Sequence, residues 1–169
     1  MIKSNHFVLL AILIVLLQAV LDNYVAFNAS IYLMLTPLIL CLMPNRLRGI
    51  PMLLAAFFLG LVSDLLGNGI LGMSASAMMV LVLVRYPLIR AFTNENSLEK
   101  YVYPSPLSMG PARFAGYLLI LYFVFLCIYV KWDSAGLVPT SLILGRIVLG
   151  TLLNAGIGYF FAWMVVREE

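Results

Sequence analysis

Long stretches without Lys, Arg, Asp or Glu limit the fold of this chain more than any other feature of its sequence. A helix needs about 20 residues, with about 17 as the usual lower limit, to cross the hydrocarbon core of a bilayer. Six charge-poor segments approach this length, and several of them are short, which favours a thin or tilted bundle. The predicted transmembrane helices lie at about residues 4–21, 30–43, 51–66, 70–86, 114–130 and 142–166.

The overall composition agrees with a membrane location. Of 169 residues, 64% are hydrophobic and 10% are charged, and the mean hydropathy is +1.08. A soluble domain is about 45 to 50% apolar and about 25% charged, so this chain has too few polar side chains to cover a surface in contact with water. We therefore predict an all-α integral membrane protein whose residues 1–169 form a single transmembrane domain, a compact bundle of six helices.

The positions of the basic residues predict the orientation of the bundle. If the N-terminus is cytoplasmic, eight bases fall on the inner side and only Lys131 falls in an outer loop. The inner set is Lys3, Arg46, Arg48, Arg85, Arg90, Lys100, Arg113 and Arg167. Because basic residues concentrate in cytoplasmic loops, both termini are predicted to be cytoplasmic. The longest connection, 87–113, is then a cytoplasmic loop that serves either as a docking surface or as a solvated linker.

The polar inventory excludes several kinds of chemistry. The three candidate ligands for a zinc site, His6, Cys41 and Cys127, lie in three different apolar segments, and such a site needs ligands that converge with tetrahedral geometry. Both cysteines are interpreted as buried small hydrophobes. The net charge of +3 is too small and too dispersed for nucleic-acid binding. The sequence predicts no metal, no cofactor and no nucleic-acid partner.

Two ionisable residues, Asp64 and Arg146, fall inside predicted helices and at similar predicted depth. Each costs about 2.5 to 3.5 kcal/mol to insert, so each needs a structural or functional explanation. In one interpretation they form an ion pair that joins the third helix to the sixth. In the other, the same polar face lines a cavity that is open to the outer side and receives a partner segment or a small ligand.

The neighbours of both residues repeat at a spacing of four, which places them on one face of a helix. The third helix carries Ala56 and Gly60 before Asp64, and Gly72 and Ser76 form a short face on the fourth. The stripe on the sixth helix consists of Arg146, Gly150, Asn154, Gly158 and Ala162. Small residues at this spacing let helices approach closely in lipid, and an amide can bond across the contact. We predict that these faces pack against other helices or bind a partner.

The string GLVSDLLGNGILGM, at residues 60–73, resembles a motif of the bacterial rod shape-determining MreD family. The motif is a glycine, three residues, an aspartate, seven residues and a glycine, and it maps onto Gly60, Asp64 and Gly72. The length of the chain and its six predicted spans also resemble that family. The motif similarity is confined to the third and fourth predicted helices.

Membership of this family would imply a non-enzymatic scaffold of the cell-elongation machinery, which builds lateral peptidoglycan, in the bacterial inner membrane. The implied partners are a periplasm-facing MreC-like protein, the MreB filament, and RodA with its transpeptidase. A glycine, three residues and an aspartate at a helix end are also similar to the substrate-binding subunits of energy-coupling-factor vitamin transporters. In that alternative, a vitamin-like solute would bind near Asp64, Arg146 and Asn154.

Enzymatic functions lack the residues that they require. An intramembrane serine protease needs a serine and a histidine that face each other, but His6 is predicted at the opposite end of the bundle from Ser63 and Ser74. A phosphoalcohol transferase needs several carboxylates to hold divalent metal, and Asp64 is the single acid within the predicted spans. We predict no catalytic residue and no enzymatic activity.

Overall fold

The computed structural model describes residues 4–24, 32–45, 47, 49–67, 70–93, 103–134 and 139–167. All regular secondary structure in these ranges is helical, which confirms the prediction of an all-α chain. The helices are α1 (Ser4–Tyr24), α2 (Thr36–Leu42), α3 (Ile50–Leu66), α4 (Met73–Phe92), α5 (Pro106–Met109), α6 (Pro111–Asp133) and α7 (Thr140–Arg167).

Three helices within the described residues are long and apolar enough to cross a membrane. They are Met73–Phe92, Pro111–Asp133 and Ser141–Met164, while the apolar stretches Val8–Asn23 and Ile50–Leu66 are shorter. Three of the six predicted transmembrane helices are therefore supported in this part of the chain. The first and third predicted helices correspond to the two shorter stretches, and the second is only partly helical.

The outward faces of the helices are apolar. Large side chains such as Leu9 on α1, Phe58 on α3, Leu83 on α4 and Phe160 on α7 are all more than half exposed. A soluble monomer rarely exposes contiguous apolar surface on this scale, whereas lipid hydrocarbon is its natural environment. The surface therefore agrees with the three candidate spans.

Helix α6 lies at the centre of the packing. Helix α4 packs against it on one side and α7 on another, and α3 packs in turn against α4. The buried residues of α6 include five large aromatic side chains as well as four aliphatic ones: Phe114, Tyr117, Leu118, Leu121, Tyr122, Phe125, Leu126, Tyr129 and Val130. The rings of Phe125 and Tyr129 are stacked, with centroids 5.7 Å apart. Helix α1 lies at the edge and contacts mainly α2 and α3.

The second predicted helix, at 30–43, is wrong over residues 32–35, which are not helical. Helix α2 begins only at Thr36, and all of its seven residues are buried. Pro37 lies in its first turn, where the missing N–H would have no intrahelical partner in any case. The region 32–42 is therefore a partly buried non-helical segment followed by a half-helix.

The predicted loop at 87–113 is also too long. Helix α4 continues through Pro87 to Phe92, because Ile89 is buried in the core and Phe92 packs beside Gly116 of α6. At the other end of the predicted loop, α5 begins with a capping box between Ser105 and Ser108, and α6 follows after Gly110. Residues 94–102 of this connection lie outside the described residues.

Candidate functional site

Asp64 caps the N-terminus of α4. Its side chain is 2% exposed near the end of α3. One carboxylate oxygen accepts the N–H of Gly72 at 2.8 Å, and the other accepts the N–H of Ser74 at 2.9 Å. The first N–H groups of a helix have no partner within the helix, and the helix dipole favours a negative charge there. Asp64 therefore satisfies two backbone donors that would otherwise be buried without acceptors.

The two glycines of the motif serve the same hairpin of α3 and α4. A Cβ atom on Gly60 would lie 2.3 Å from the Ala75 Cα atom, so the two helix backbones are in contact at this position. Gly72 has a φ of 101°, a left-handed conformation that glycine adopts without steric cost. Gly60, Asp64 and Gly72 thus supply the close approach, the cap and the turn of one structural unit.

Neighbouring polar contacts connect the end of α3 to α1 and α2. The Asn23 side chain of α1 donates to the carbonyl of Leu66 at 2.7 Å. The hydroxyls of Ser63 and Thr36 are 3.3 Å apart, and both residues are buried. The hairpin is therefore attached to the half-helix beside it as well as closed on itself.

Asn154, in the stripe on α7, is fully buried and bonds to the non-helical segment before α2. Its side-chain oxygen accepts the N–H of Met34 at 2.7 Å. Its NH₂ group donates to the carbonyl of Tyr32 at 2.7 Å and to that of Gly150 at 2.7 Å. Because residues 32–35 are not helical, the amide of Asn154 provides bonds that a regular helix would have made internally.

The glycines of the stripe lie in close contact with other elements. A Cβ atom on Gly150 would meet a methyl group of Leu126 at 3.0 Å, and one on Gly158 would meet a methyl group of Leu38 at 3.0 Å. Ala162 is also buried. This face of α7 therefore packs inward, against α6 and α2.

Arg146 is partly exposed and interacts with the Tyr32 side chain. The Tyr32 hydroxyl donates to the Asp133 carboxylate at the end of α6. The Arg146 guanidinium interacts with the same tyrosine. Within the described residues no ion pair joins Arg146 to Asp64. The carboxylate of Asp64 is bonded to the N-terminus of α4 instead.

Gln18 was not predicted as a site residue, yet it bonds to the same segment as Asn154. It is buried in α1, and its side-chain oxygen accepts the N–H of Leu35 at 2.6 Å. Its NH₂ group donates to the carbonyl of Leu33 at 3.1 Å and to the Asp22 carboxylate at 2.8 Å. A glutamine in the middle of an otherwise apolar run was the sequence signal for this contact.

Arg85, counted among the bases of the inner side, lies within α4 and not in a loop. It is 2% exposed on the inward face of α4, because the helix continues for seven residues beyond it. Its guanidinium donates to the carbonyl of Met43, at the C-terminal end of α2, and contacts the Met52 sulfur at 3.4 Å. Its Nε atom is buried without a hydrogen-bond partner. Close by, the hydroxyl of Tyr117 donates to the carbonyl of Cys41 at 2.9 Å.

The polar side chains of this region share one property: most of their bonds go to backbone groups of the same chain. No three His, Cys, Asp or Glu side chains in the described ranges lie close enough together to hold a metal ion. Comparisons of the chain with family models, with curated proteins and with solved structures find no match. The resemblance to the MreD family therefore rests on the motif and the layout of the chain.

Proposed function

We propose that this protein is a non-enzymatic scaffold of the bacterial cell-elongation complex. The proposal rests on one observation: Gly60, Asp64 and Gly72 together form the close contact, the cap and the turn of one helical hairpin. These are the residues of the motif that resembles the MreD family. A catalytic or ligand-binding carboxylate needs an oxygen that can reach a substrate, whereas both oxygens of Asp64 are bonded to the backbone.

The use of Asn154 and Gln18 supports the same proposal. Both side chains bond to the backbone at residues 32–35, so they stabilise the shape of the bundle. A scaffold requires a defined shape and surfaces for its partners, not an activated nucleophile. The partners in this proposal are a periplasm-facing MreC-like protein, the MreB filament, and RodA with its transpeptidase.

The proposed topology has six crossings of the bacterial inner membrane, with both termini cytoplasmic and the second crossing broken. Helix α2 contributes about 10 Å at 1.5 Å per residue. The four residues before it can add at most about 14 Å, which leaves the sum a little below the roughly 30 Å hydrocarbon core. The exposed Arg90 and Arg113 fit this proposal, since contact of Phe92 with Gly116 brings their two helix ends together. A C-terminal reporter that reads periplasmic would contradict it.

Depletion in a rod-shaped bacterial host tests the proposed role. We expect depleted cells to become round and a wild-type copy to restore rods. Asp64→Ala should restore them poorly, because it removes the cap of α4, and Gly156→Ala is the matched control because a Cβ at Gly156 would meet no atom within 4 Å. Membrane abundance of each variant is measured by immunoblotting. Cells that keep their rod shape after depletion would contradict the scaffold role.

One observation favours the transporter alternative, the broken helix at 32–35. In many secondary transporters, discontinuous helices mark the substrate site. A vitamin-like solute that co-purifies with the detergent-extracted protein, or that raises its melting temperature, would replace the scaffold proposal with this one. The position of the gene provides a second test, since neighbouring genes for shape proteins would favour the scaffold and a vitamin-uptake operon would favour the transporter.

A further inference from the structure

Helix α2 is an enclosed half-helix whose two ends are bonded by side chains from four other helices. All seven of its residues are buried. At 1.5 Å per residue it forms only about two turns. An isolated helix shorter than about 12 residues is marginal even in a favourable sequence. The stability of α2 therefore comes from its surroundings and not from its own hydrogen bonds.

At the N-terminal end, Gln18 of α1 and Asn154 of α7 bond to the segment that enters α2. Together they satisfy the N–H groups of Met34 and Leu35 and the carbonyls of Tyr32 and Leu33. Four backbone groups of residues 32–35 thus have side-chain partners from two other helices. Each such group would be costly to bury without a partner.

At the C-terminal end, α6 and α4 provide the partners. The Tyr117 hydroxyl donates to the Cys41 carbonyl, and the Arg85 guanidinium donates to the Met43 carbonyl. The last carbonyls of a helix have no partner within it, and a positive charge at this end interacts favourably with the helix dipole. Two of the carbonyls at this end of α2 therefore accept hydrogen bonds from side chains of other helices. The N-terminal segment is bonded in the same way.

We propose that α2 is a conformational coupling element, which opens as one unit so that loss of the bonds at either end releases both ends. About two turns of helix cannot keep one half in place while the other half separates, because each half is no longer than the single turn that nucleates a helix. The coupling connects the Tyr32 region, next to Asp133 and Arg146, with the buried Arg85 at the other end. The inference goes beyond the scaffold proposal and does not depend on it, because it uses only the contacts of α2.

The buried thiol of Cys41, in the C-terminal half of α2, provides a native reporter of opening. The test uses the full chain in membranes with Cys127→Ser, which leaves one thiol, and the rate of N-ethylmaleimide labelling is measured by mass spectrometry. Asn154→Leu removes two bonds at the opposite end of α2. We expect it to accelerate Cys41 labelling about tenfold, since each hydrogen bond contributes a factor of several to the closed state.

Gln18→Leu provides a second variant at the same end if Asn154→Leu does not accumulate, and it should change labelling in the same direction. Thr151→Val is the matched control on α7, because the Thr151 hydroxyl is buried one turn from Asn154 without a hydrogen-bond partner. Its labelling rate should equal that of the wild type. Ser105→Ala, which breaks the capping box of α5, tests for a general loss of stability and should also leave the rate unchanged.

Two patterns of Cys41 labelling rates would overturn the proposal. Tyr117→Phe removes the bond to the Cys41 carbonyl itself, so it should accelerate labelling whether or not the ends are coupled. If Tyr117→Phe accelerates labelling while Asn154→Leu and Gln18→Leu label at the wild-type rate, the two ends open separately. If Ser105→Ala accelerates labelling as much as Asn154→Leu does, the effect is global unfolding and the proposal fails.

Discussion

The N-terminus of α4 and the two ends of α2 satisfy the same physical requirement in different ways. Asp64, eight residues before Gly72, caps α4 from within the same hairpin. The partners at the ends of α2 are distant in sequence, with Gln18 separated by 17 residues from Leu35 and Asn154 by 120 residues from Met34. The ends of helices in this apolar bundle are therefore capped by side chains that are either near or distant in sequence. Only the local solution leaves a short sequence motif.

Among the described residues, the buried charged side chains are those of Asp64 and Arg85, and their signs match the helix ends that they cap. The carboxylate of Asp64 is bonded to the N-terminal end of a helix, and the guanidinium of Arg85 is bonded to the C-terminal end of one. These are the ends at which the helix dipole favours a negative and a positive charge, respectively. Each charge is thus stabilised by a helix end and not by an opposite charge.

Charge reversal should produce the largest effects. We expect Asp64→Lys and Arg85→Glu each to lower the free energy of unfolding by about 3 to 5 kcal/mol, because each leaves a buried charge facing the wrong helix end. Thermal unfolding in detergent and abundance in membranes measure the loss. Arg90→Glu is the control on the exposed face of α4. An equally small effect of Arg85→Glu and Arg90→Glu would contradict the role of Arg85 at α2.

The double variant Asp64→Arg/Arg146→Asp tests directly whether Asp64 and Arg146 form the ion pair that the sequence suggested. Because Asp64 bonds to backbone N–H groups and Arg146 lies beside Tyr32, we expect the double variant to be no more stable than Asp64→Arg alone. Unfolding of the single and double variants in the same detergent gives the coupling energy. Recovery of stability in the double variant would show that the two side chains interact after all.

Removal of the cap should have the next largest effect. Asp64→Ala leaves the N–H groups of Gly72 and Ser74 without acceptors, and we expect a loss of about 2 to 4 kcal/mol. Asp64→Asn keeps one acceptor oxygen and should lose about half as much. Hydrogen exchange at the first turn of α4 should accelerate in the same order. Equal losses in both variants would indicate that the charge matters more than the hydrogen bonds.

A series of Gly→Ala substitutions compares the hairpin with the inner and outer faces of α7. Gly60→Ala should cost about 1 to 3 kcal/mol, because the new methyl group would clash with the backbone at Ala75. Gly158→Ala should cost less, since its neighbour is the movable end of the Leu38 side chain. Gly156→Ala meets open space and should stabilise the helix by about 0.5 to 1 kcal/mol. Melting temperatures in any other order would contradict the tight contact of α3 with α4.

The smallest difference in the free energy of unfolding is expected between Tyr→Phe variants at two tyrosines of α6. Both are fully buried, but the hydroxyl of Tyr117 donates to Cys41 of α2 while that of Tyr122 has no hydrogen-bond partner. Tyr117→Phe should cost about 1 kcal/mol. Tyr122→Phe should be neutral or slightly stabilising, because it removes a buried polar group that has no partner. A larger loss of stability in Tyr122→Phe than in Tyr117→Phe would contradict a stabilising role for the bond from Tyr117 to α2.

The sequence was sufficient to predict the features that depend on local pattern. The spacing of Ala56, Gly60 and Asp64 placed them on one face of α3, and all three are buried there. Long apolar runs predicted α6 and α7 to within three residues at each end. These predictions succeed because helix periodicity and the length of an apolar run are properties of the chain itself.

The features that the sequence did not predict depend on contacts between distant residues. The run that contains α2 carries no charge, and although Pro37 favours a helix start there, the side chains that bond to the non-helical residues 32–35 come from distant parts of the chain. The helix predicted at 70–86 was too short, because packing of Ile89 and Phe92 keeps α4 intact through Pro87. Arg85 is buried in this helix, although the charge pattern alone placed it with the bases of the inner side.

The distant partners of α2 have a consequence for the order of events during synthesis. Gln18 leaves the ribosome before α2, but Asn154 is made 120 residues after Met34. At about 5 to 20 residues per second, the segment before α2 waits roughly 6 to 24 seconds for this partner. Over that time the N–H of Met34 must be bonded by water, by the insertion machinery or by a chaperone. Helix α7 thus completes the bonding of a helix that is made well before it.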